Sequence, residues 1–276
     1  MADIKASDVA KLRQMTGAGM MDCKQALTET NGDFDQAIDI LRKKGQKIAS
    51  KRADREATEG AVIAIANDSN TCGVLIVLNC ETDFVAKNED FVKKAHQIAH
   101  AALTSKPASL DELKKVLIEG HTIESEVTNL TGVTGEKVEL SQYKSLESPM
   151  VVPYIHPGNR LATLVSLNKK VADIQVAKDV AMQVAAMAPV AVNKDRVPQS
   201  IIDKELEIGR AQAQEEGKPE AILDKIAQGK LTKYFKENTL LSQDFIKDHK
   251  ITVADYLTHI DKDLTVVDFA RYTLND

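Results

Sequence analysis

The sequence predicts an α+β protein that is richer in helix than in sheet. Apolar residues recur at helical spacing through much of the chain, whereas two pairs of short apolar runs have the pattern of β-hairpins. The composition agrees with this prediction, because 43% of the 276 residues are hydrophobic but only 4% are aromatic. The cores must therefore be built mainly from Ala, Val, Ile and Leu, and this composition favours helices.

The first 45 residues predict a small module of three helices. A helix beginning near Ser7 is broken at residues 16–19 (TGAG), and the turn Asn31-Gly32 ends a second helix. Asp33 is a favourable N-cap for a third helix that ends before Gly45.

The following residues, 46–59, are polar and strongly basic. No aromatic residues alternate with the basic ones, so a solvated helical linker is favoured over a nucleic-acid patch. A linker of this kind predicts some mobility between the module and the rest of the chain.

Two hairpin patterns follow. Residues 61–66 and 74–78 flank a turn-rich loop, and Asn88 then caps a helix, with Ser109 capping another. Residues 149–155 and 161–167 repeat the hairpin pattern. A hairpin with helices thus occurs twice, which predicts two related α+β subdomains.

Two helical arms are predicted at residues 198–216 and 219–237, separated by Gly217-Lys218-Pro219. Each arm is too polar on its outer faces to be buried all round. We therefore expect an antiparallel helical hairpin that projects from the second subdomain and is available to a partner hairpin.

Charge and targeting signals restrict the function. A formal net charge of −5 argues against direct nucleic-acid binding and favours a protein partner. The three cysteines, Cys23, Cys72 and Cys80, fit neither a disulfide framework nor a zinc site, so we expect reduced thiols and a cytoplasmic protein. We find no signal peptide and no apolar run of 18 residues, so neither export nor a membrane span is expected.

No enzyme chemistry, metal site or cofactor is predicted. His96 and His100 have the spacing of a zinc-protease helix, but Gln97 stands where the general-base glutamate would be. Cys80 has no histidine near it in sequence, and its apolar strand favours a buried thiol.

Two motifs resemble the elongation factor Ts family: TGAGMMDCKQAL at residues 16–27 with NGD at 31–33, and CETDFVAK at residues 80–87. Shorter similarities lie at residues 180–186 and 217–220. The resemblance implies five parts, namely a ubiquitin-associated-like three-helix module with its linker at 1–54, one core subdomain at 55–140, a second at 141–179 and 230–260, an inserted coiled-coil hairpin at 180–229, and a C-terminal helical segment at 261–276.

The family resemblance also implies a partner and a role. Members of this family promote nucleotide exchange on elongation factor Tu, so both its GDP-bound and its nucleotide-free forms are expected partners. The resemblance implies that Thr82, Asp83, Phe84 and Val85 form a tip that enters the G domain of that partner, with Phe84 as a wedge.

Further contacts are implied for Leu12, Met20 and Met21 with the G domain, and for His156 with the partner's third domain. A simple core role stays open for Leu12, whereas the neighbours Met20 and Met21 can hardly both point inward. One alternative function also stays open. Three-helix modules of this kind bind ubiquitin, so the chain could be an interaction adaptor that uses Gly19-Met20, although an adaptor would not need the wedge motif.

Overall fold

The computed structural model describes residues 4–274. The predicted three-helix module is confirmed, with α1 at Ala6–Thr16, α2 at Met20–Glu29 and α3 at Phe34–Lys51. Gly17 has a φ of 70° and ends α1, and the Asp33 carboxylate accepts from the Gln36 N–H to cap α3. Helix α1 begins at Ala6, one residue before the expected Ser7.

The prediction that the third helix ends at Gly45 is wrong. Helix α3 continues to Lys51, and Gly45 is buried within it. Gly45 lies where α3 crosses a later helix at Gly132, and a Cβ built on Gly132 would be only 2.6 Å from the Gly45 Cα. The two helix backbones come so close here that a side chain at residue 132 would meet the backbone of residue 45. This close approach, and not a helix end, explains why residue 45 is a glycine.

The basic stretch is correspondingly not a free linker. The Arg52 guanidinium donates to the Glu81 carboxylate over 2.8 Å, and Lys137 Nζ donates to the Ala53 carbonyl over 3.1 Å. Arg42 of α3 also contacts the His121 Nε2 at 2.5 Å. These bonds join the module to the residues that follow it, whereas the expected mobility at this junction stays a prediction.

The first predicted hairpin is confirmed as β1 (Glu59–Ala66) and β2 (Cys72–Cys80), which pair antiparallel with Ile63 opposite Ile76. A third strand, β5 (Glu139–Glu147), pairs with β2 and completes the sheet in the order β1-β2-β5. Between β2 and β5 lie α4 (Asp83–Ala86), α5 (Glu89–Ser105), α6 (Leu110–Lys115), β3 (Leu117–Ile118), β4 (His121–Thr122) and α7 (Ile123–Thr134).

The second predicted hairpin is confirmed as β6 (Met150–Ile155) and β7 (Leu161–Leu167). It is followed by α8 (Ile174–Met187), α9 (Gln199–Glu215), α10 (Glu220–Asn238), β8 (Asp244–Phe245), β9 (Asp248–Thr252) and α11 (Val253–Ile260). Helices α9 and α10 are the two predicted arms, and they pack on each other with Arg210 bonded to Asp224 at 2.6 Å. The limits expected for the coiled-coil insertion, residues 180 and 229, do not coincide with helix ends. Residue 180 lies inside α8, which packs against β6 and β7, and residue 230 lies inside α10.

The prediction of a C-terminal helical segment at 261–276 is wrong. Within the described residues this segment forms β10 (Val266–Thr273), which pairs with β7 and gives a second sheet in the order β10-β7-β6. Its β-branched and aromatic residues, including Val266, Phe269 and Tyr272, favour a strand. The expected helical residues 275 and 276 lie outside the described part.

The two sheets share a core, which explains why β1 and β2 are apolar on both faces. One set of alternating residues, with Val62 and Leu75, packs against the second sheet at Val151 and Leu164. The other set, with Ile63, packs under α5 and α7. The segment that follows β2 therefore starts from a strand that packs against a core on both of its faces.

Candidate protein interface at residues 82–85

The single-turn helix α4 presents Phe84 to solvent. The Thr82 hydroxyl accepts from the Val85 N–H over 3.5 Å, which places Thr82 at the N-cap. Val85 and Ala86 pack against the core cluster of the first sheet, whereas 84% of Phe84 is exposed. Phe84 thus lies outside the core. We call residues 82–85 the tip.

Asp83 also remains accessible at the tip. Its carboxylate accepts from Lys87 Nζ over 2.6 Å, and its side chain is 45% exposed. The Lys87 ammonium lowers the pKa of Asp83 below its ordinary value. The tip therefore displays an aromatic ring next to a carboxylate that is charged at neutral pH.

Two glutamates hold the junction between β2 and the tip. Glu136 accepts from the N–H groups of Glu81 and Thr82 over 3.2 and 3.0 Å, and from the Thr82 hydroxyl over 2.6 Å. Glu81 in turn accepts from the Lys137 N–H over 2.6 Å and from Arg52. The Lys137 N–H, together with Arg52, lowers the pKa of Glu81. The backbone at the base of the tip is thereby fixed by charged hydrogen bonds.

Cys80 lies directly beneath this junction. It is fully buried, and its Sγ donates to the Thr82 carbonyl over 3.2 Å. Burial, with smaller contributions from Glu136 and Glu59, raises the pKa of the Cys80 thiol to about 12. The expected buried thiol is confirmed, and Cys80 has a structural role here.

The folded protein should resist alkylation at Cys80. A thiol with a pKa of about 12 carries almost no thiolate at pH 8, and no solvent reaches it. We expect iodoacetamide to label Cys80 only after denaturation, as measured by mass spectrometry of the digested protein with and without urea. Labelling of Cys80 in the native protein at the rate of a free thiol would contradict this description.

A groove of about 750 Å³ runs beside the tip. Its lining includes Phe84 and Val85 of the tip as well as Met15 and Gly17 at the end of α1. The fixed contact between α3 and α7 therefore brings the N-terminal module and the tip to a common surface.

The remaining predicted residues are distributed differently. Leu12 is fully buried in the core of the three-helix module, so its expected surface contact is corrected to a packing role. Met20 and Met21 are both exposed, and 75% of Met21 is open to solvent. His156 is exposed in the turn between β6 and β7, where its Nδ1 lies 2.9 Å from the Tyr154 hydroxyl. The structure thus places Met20, Met21 and His156 on the surface but not in the groove.

Sequence reasoning missed Glu136, Glu81 and Arg52. The hydrogen bonds that these three residues make around the tip join residues at least 29 positions apart in sequence, and residues 104–148 carry no motif that marks Glu136. A general signal was nevertheless present, because the N–H groups where a strand turns into a helix need acceptors.

The described residues offer little support for other kinds of site. Within residues 4–274 no group of three or more His, Cys, Asp or Glu side chains is arranged to hold a metal ion. Over the same range, every helix is too short or too polar to span a membrane. His96 is half-buried, and this burial, with the nearby His100, lowers its pKa.

Comparison with known proteins assigns the chain to a family. A family model described as elongation factor TS matches residues 81–276, and so includes the tip. Elongation factor Ts of Christiangramia forsetii is 55% identical over 275 residues, covering 99% of this chain and 100% of that protein. The Amoebophilus asiaticus protein of that name is 55% identical over 270 residues (97% of this chain, 98% of that protein), and that of Porphyromonas gingivalis is 52% identical over 273 residues (99% and 98%). The chain therefore belongs to the elongation factor Ts family of translation elongation factors.

Proposed function

We propose that this protein binds the GDP-bound form of elongation factor Tu and promotes release of GDP by inserting the tip into the partner's G domain. The observation that carries the proposal is the position of Phe84: a large aromatic side chain that is 84% exposed on a backbone fixed by hydrogen bonds. Aromatic side chains are enriched among binding hot spots, and a backbone that is already ordered lowers the entropy cost of presenting one to a partner.

The physical argument rests on differential binding. A ligand shifts a conformational equilibrium only if it binds one state more tightly than the other. Phe84 would fill a pocket that is open in the nucleotide-releasing conformation of the partner, and Asp83 would face a helix N-terminus there. This chain would then perform no covalent chemistry, and it would accelerate a conformational step of the partner.

The neighbouring surface supports a two-part contact. Met20 and Met21 are exposed on the N-terminal module, and Met15 borders the groove that Phe84 also lines. Methionine side chains adapt to irregular apolar surfaces, which suits a contact with the G domain. His156 is proposed to contact the third domain of the partner from the turn of the second hairpin.

The proposal is tested by release of a fluorescent GDP analogue from elongation factor Tu in the presence of excess unlabelled GDP. A small molar fraction of this chain should release all of the analogue, because each molecule acts repeatedly. A rate of release no faster than spontaneous dissociation would refute the proposal. So would a final amount of released analogue that does not exceed the molar amount of chain added. A simple interaction adaptor would produce one of these two results.

We also propose that the helical hairpin of α9 and α10 mediates self-association. Ile208 and Ile222 are exposed on its two arms, at 38% and 41%. Exchanging both for lysine should reduce the mass measured by light scattering to that of a monomer. The exposed Ile260 lies outside the hairpin, so Ile260→Lys is a matched control that should leave the mass unchanged. A monomeric mass for the unmodified protein would contradict self-association.

A further inference from the structure

We propose that Glu136 is a positioning residue for the tip, which fixes the direction in which Phe84 points. Glu136 thereby influences the rate of nucleotide exchange without contacting the nucleotide that the partner binds. This inference rests on the proposed function and assigns it a residue outside the tip motif. Glu136 lies 52 positions after Phe84, directly behind Gly135, which ends α7.

The Glu136 carboxylate accepts hydrogen bonds from three donor groups at the base of the tip. Its Oε2 accepts from the N–H groups of Glu81 and Thr82, and its Oε1 accepts from the Thr82 hydroxyl. The same Thr82 oxygen accepts from the Val85 N–H. Glu136 therefore orients the residue that begins α4, and through it the turn that carries Phe84.

Apolar packing alone would not fix Phe84. Only 16% of its surface is covered, as follows from an exposure of 84%, so the ring itself has few partners in the free protein. Its direction depends on the backbone, which is held by the packing of the partly buried Val85 and Ala86 against the core and by the hydrogen bonds of Glu136. Preorganisation of this kind removes the entropy loss of ordering the tip on binding.

The position of Glu136 is itself defined. The Thr134 hydroxyl accepts from the Glu136 N–H over 3.2 Å and itself donates to the Leu130 carbonyl of α7 over 2.8 Å. The next residue, Lys137, donates its N–H to Glu81 over 2.6 Å. Glu81 and Glu136 thus form a reciprocal pair, in which each carboxylate accepts from the backbone of the other's segment.

The first test uses the absence of tryptophan from the chain. Phe84→Trp introduces a single indole at the tip, and its time-resolved fluorescence anisotropy reports local motion on the nanosecond scale. The exposed indole rotates about its own side-chain bonds in every variant, so we expect a fast decay whose amplitude is larger with Glu136→Ala than with Glu136 present, because motion of the backbone is then added. This measurement needs no partner, so its result is independent of the proposed function.

The second test is a double-mutant cycle in GDP release from elongation factor Tu. Glu136→Ala should slow exchange by about tenfold, the effect of disordering one or two side chains of the tip. If Glu136 acts through Phe84, the double variant Phe84→Ala/Glu136→Ala should be no slower than Phe84→Ala alone. Glu136→Gln keeps the shape and loses the charge, and we expect it to fall between Glu136→Ala and the unmodified protein.

Asp179 provides the matched control. Its carboxylate likewise accepts three hydrogen bonds, in this case all from side chains, namely those of Gln175, Lys247 and Tyr256, but it lies on α8 under the second sheet. Asp179→Asn should lower thermal stability and leave exchange by the folded protein unchanged. The inference is overturned if Glu136→Ala leaves the amplitude of the fast anisotropy decay unchanged, or if the effects of Phe84→Ala and Glu136→Ala on exchange multiply. Failure of the unmodified protein to release GDP would instead refute the proposed function.

Discussion

Replacing Phe84 with alanine is expected to slow GDP release from elongation factor Tu by roughly 30-fold or more while the free protein melts normally. A hot-spot aromatic contributes about 2 kcal/mol or more to a complex, which corresponds to that change in rate. The folded chain loses little, because 84% of Phe84 is already in water; a surface substitution changes stability by about 0.5 kcal/mol at most. Thermal melting and stopped-flow release measure the two quantities.

Two control variants separate binding from folding. Phe91→Ala removes an aromatic side chain that is 2% exposed, only seven positions further on, and should destabilise the fold by about 3–5 kcal/mol. Ile260→Ala removes an exposed apolar side chain far along the chain and should change neither stability nor exchange. A Phe84→Ala variant that melts many degrees early, or that exchanges at the normal rate, would contradict the role given to the tip.

Replacing Gly132 with alanine is expected to separate the N-terminal module from the first subdomain. The new Cβ would lie 2.6 Å from the Gly45 Cα, where backbone meets backbone and no flexible side chain can move aside. Overpacking of this kind destabilises by about 1–3 kcal/mol. Helix α3 must then move away from α7, which also weakens the Arg52–Glu81 pair at the base of the tip. Hydrogen exchange of α3 and urea unfolding are the measurements.

The same substitution at Gly229 should have the opposite effect. Gly229 lies within α10, and a Cβ built there meets no atom within 4 Å. Alanine is a better helix former than glycine by about 1 kcal/mol, so Gly229→Ala should stabilise the protein. Equal effects of Gly132→Ala and Gly229→Ala would mean that the helix crossing does not restrict the size of residue 132.

The sequence predicts the elements whose signals are local. Residues 61–66 and 74–78 are continuous apolar runs because β1 and β2 are buried on both faces, so their hairpin was readily identified. The caps at Asp33, Asn88 and Ser109 likewise act over two or three residues, and each accepts as expected from a nearby N–H.

The errors have a common physical origin in long-range packing. Strand β5 is an edge strand with mostly polar residues, and only its pairing with β2 identifies it. Strand β10 was expected to be helical, but its place beside β7 decides its conformation. Gly45 resembles a helix end in sequence, and its role becomes clear only when Gly132 is seen across from it.

The candidate site divides in the same way. The motif at residues 82–85 identifies the tip from sequence alone. The residues that hold the tip, Glu136 and Arg52, are 54 and 30 positions from Thr82 and carry no local signal. Their role follows from three-dimensional hydrogen bonding alone.

The most direct test of the central claim is the effect of GDP on the affinity of this chain for elongation factor Tu, measured by calorimetry for the unmodified protein and for Phe84→Ala. Linkage requires that GDP weakens binding of the chain by the same factor by which the chain weakens binding of GDP. We predict a large factor for the unmodified protein and a much smaller one for Phe84→Ala, since in the proposed mechanism the ring binds only the nucleotide-releasing conformation of the partner. Equal factors for the two proteins would contradict the account.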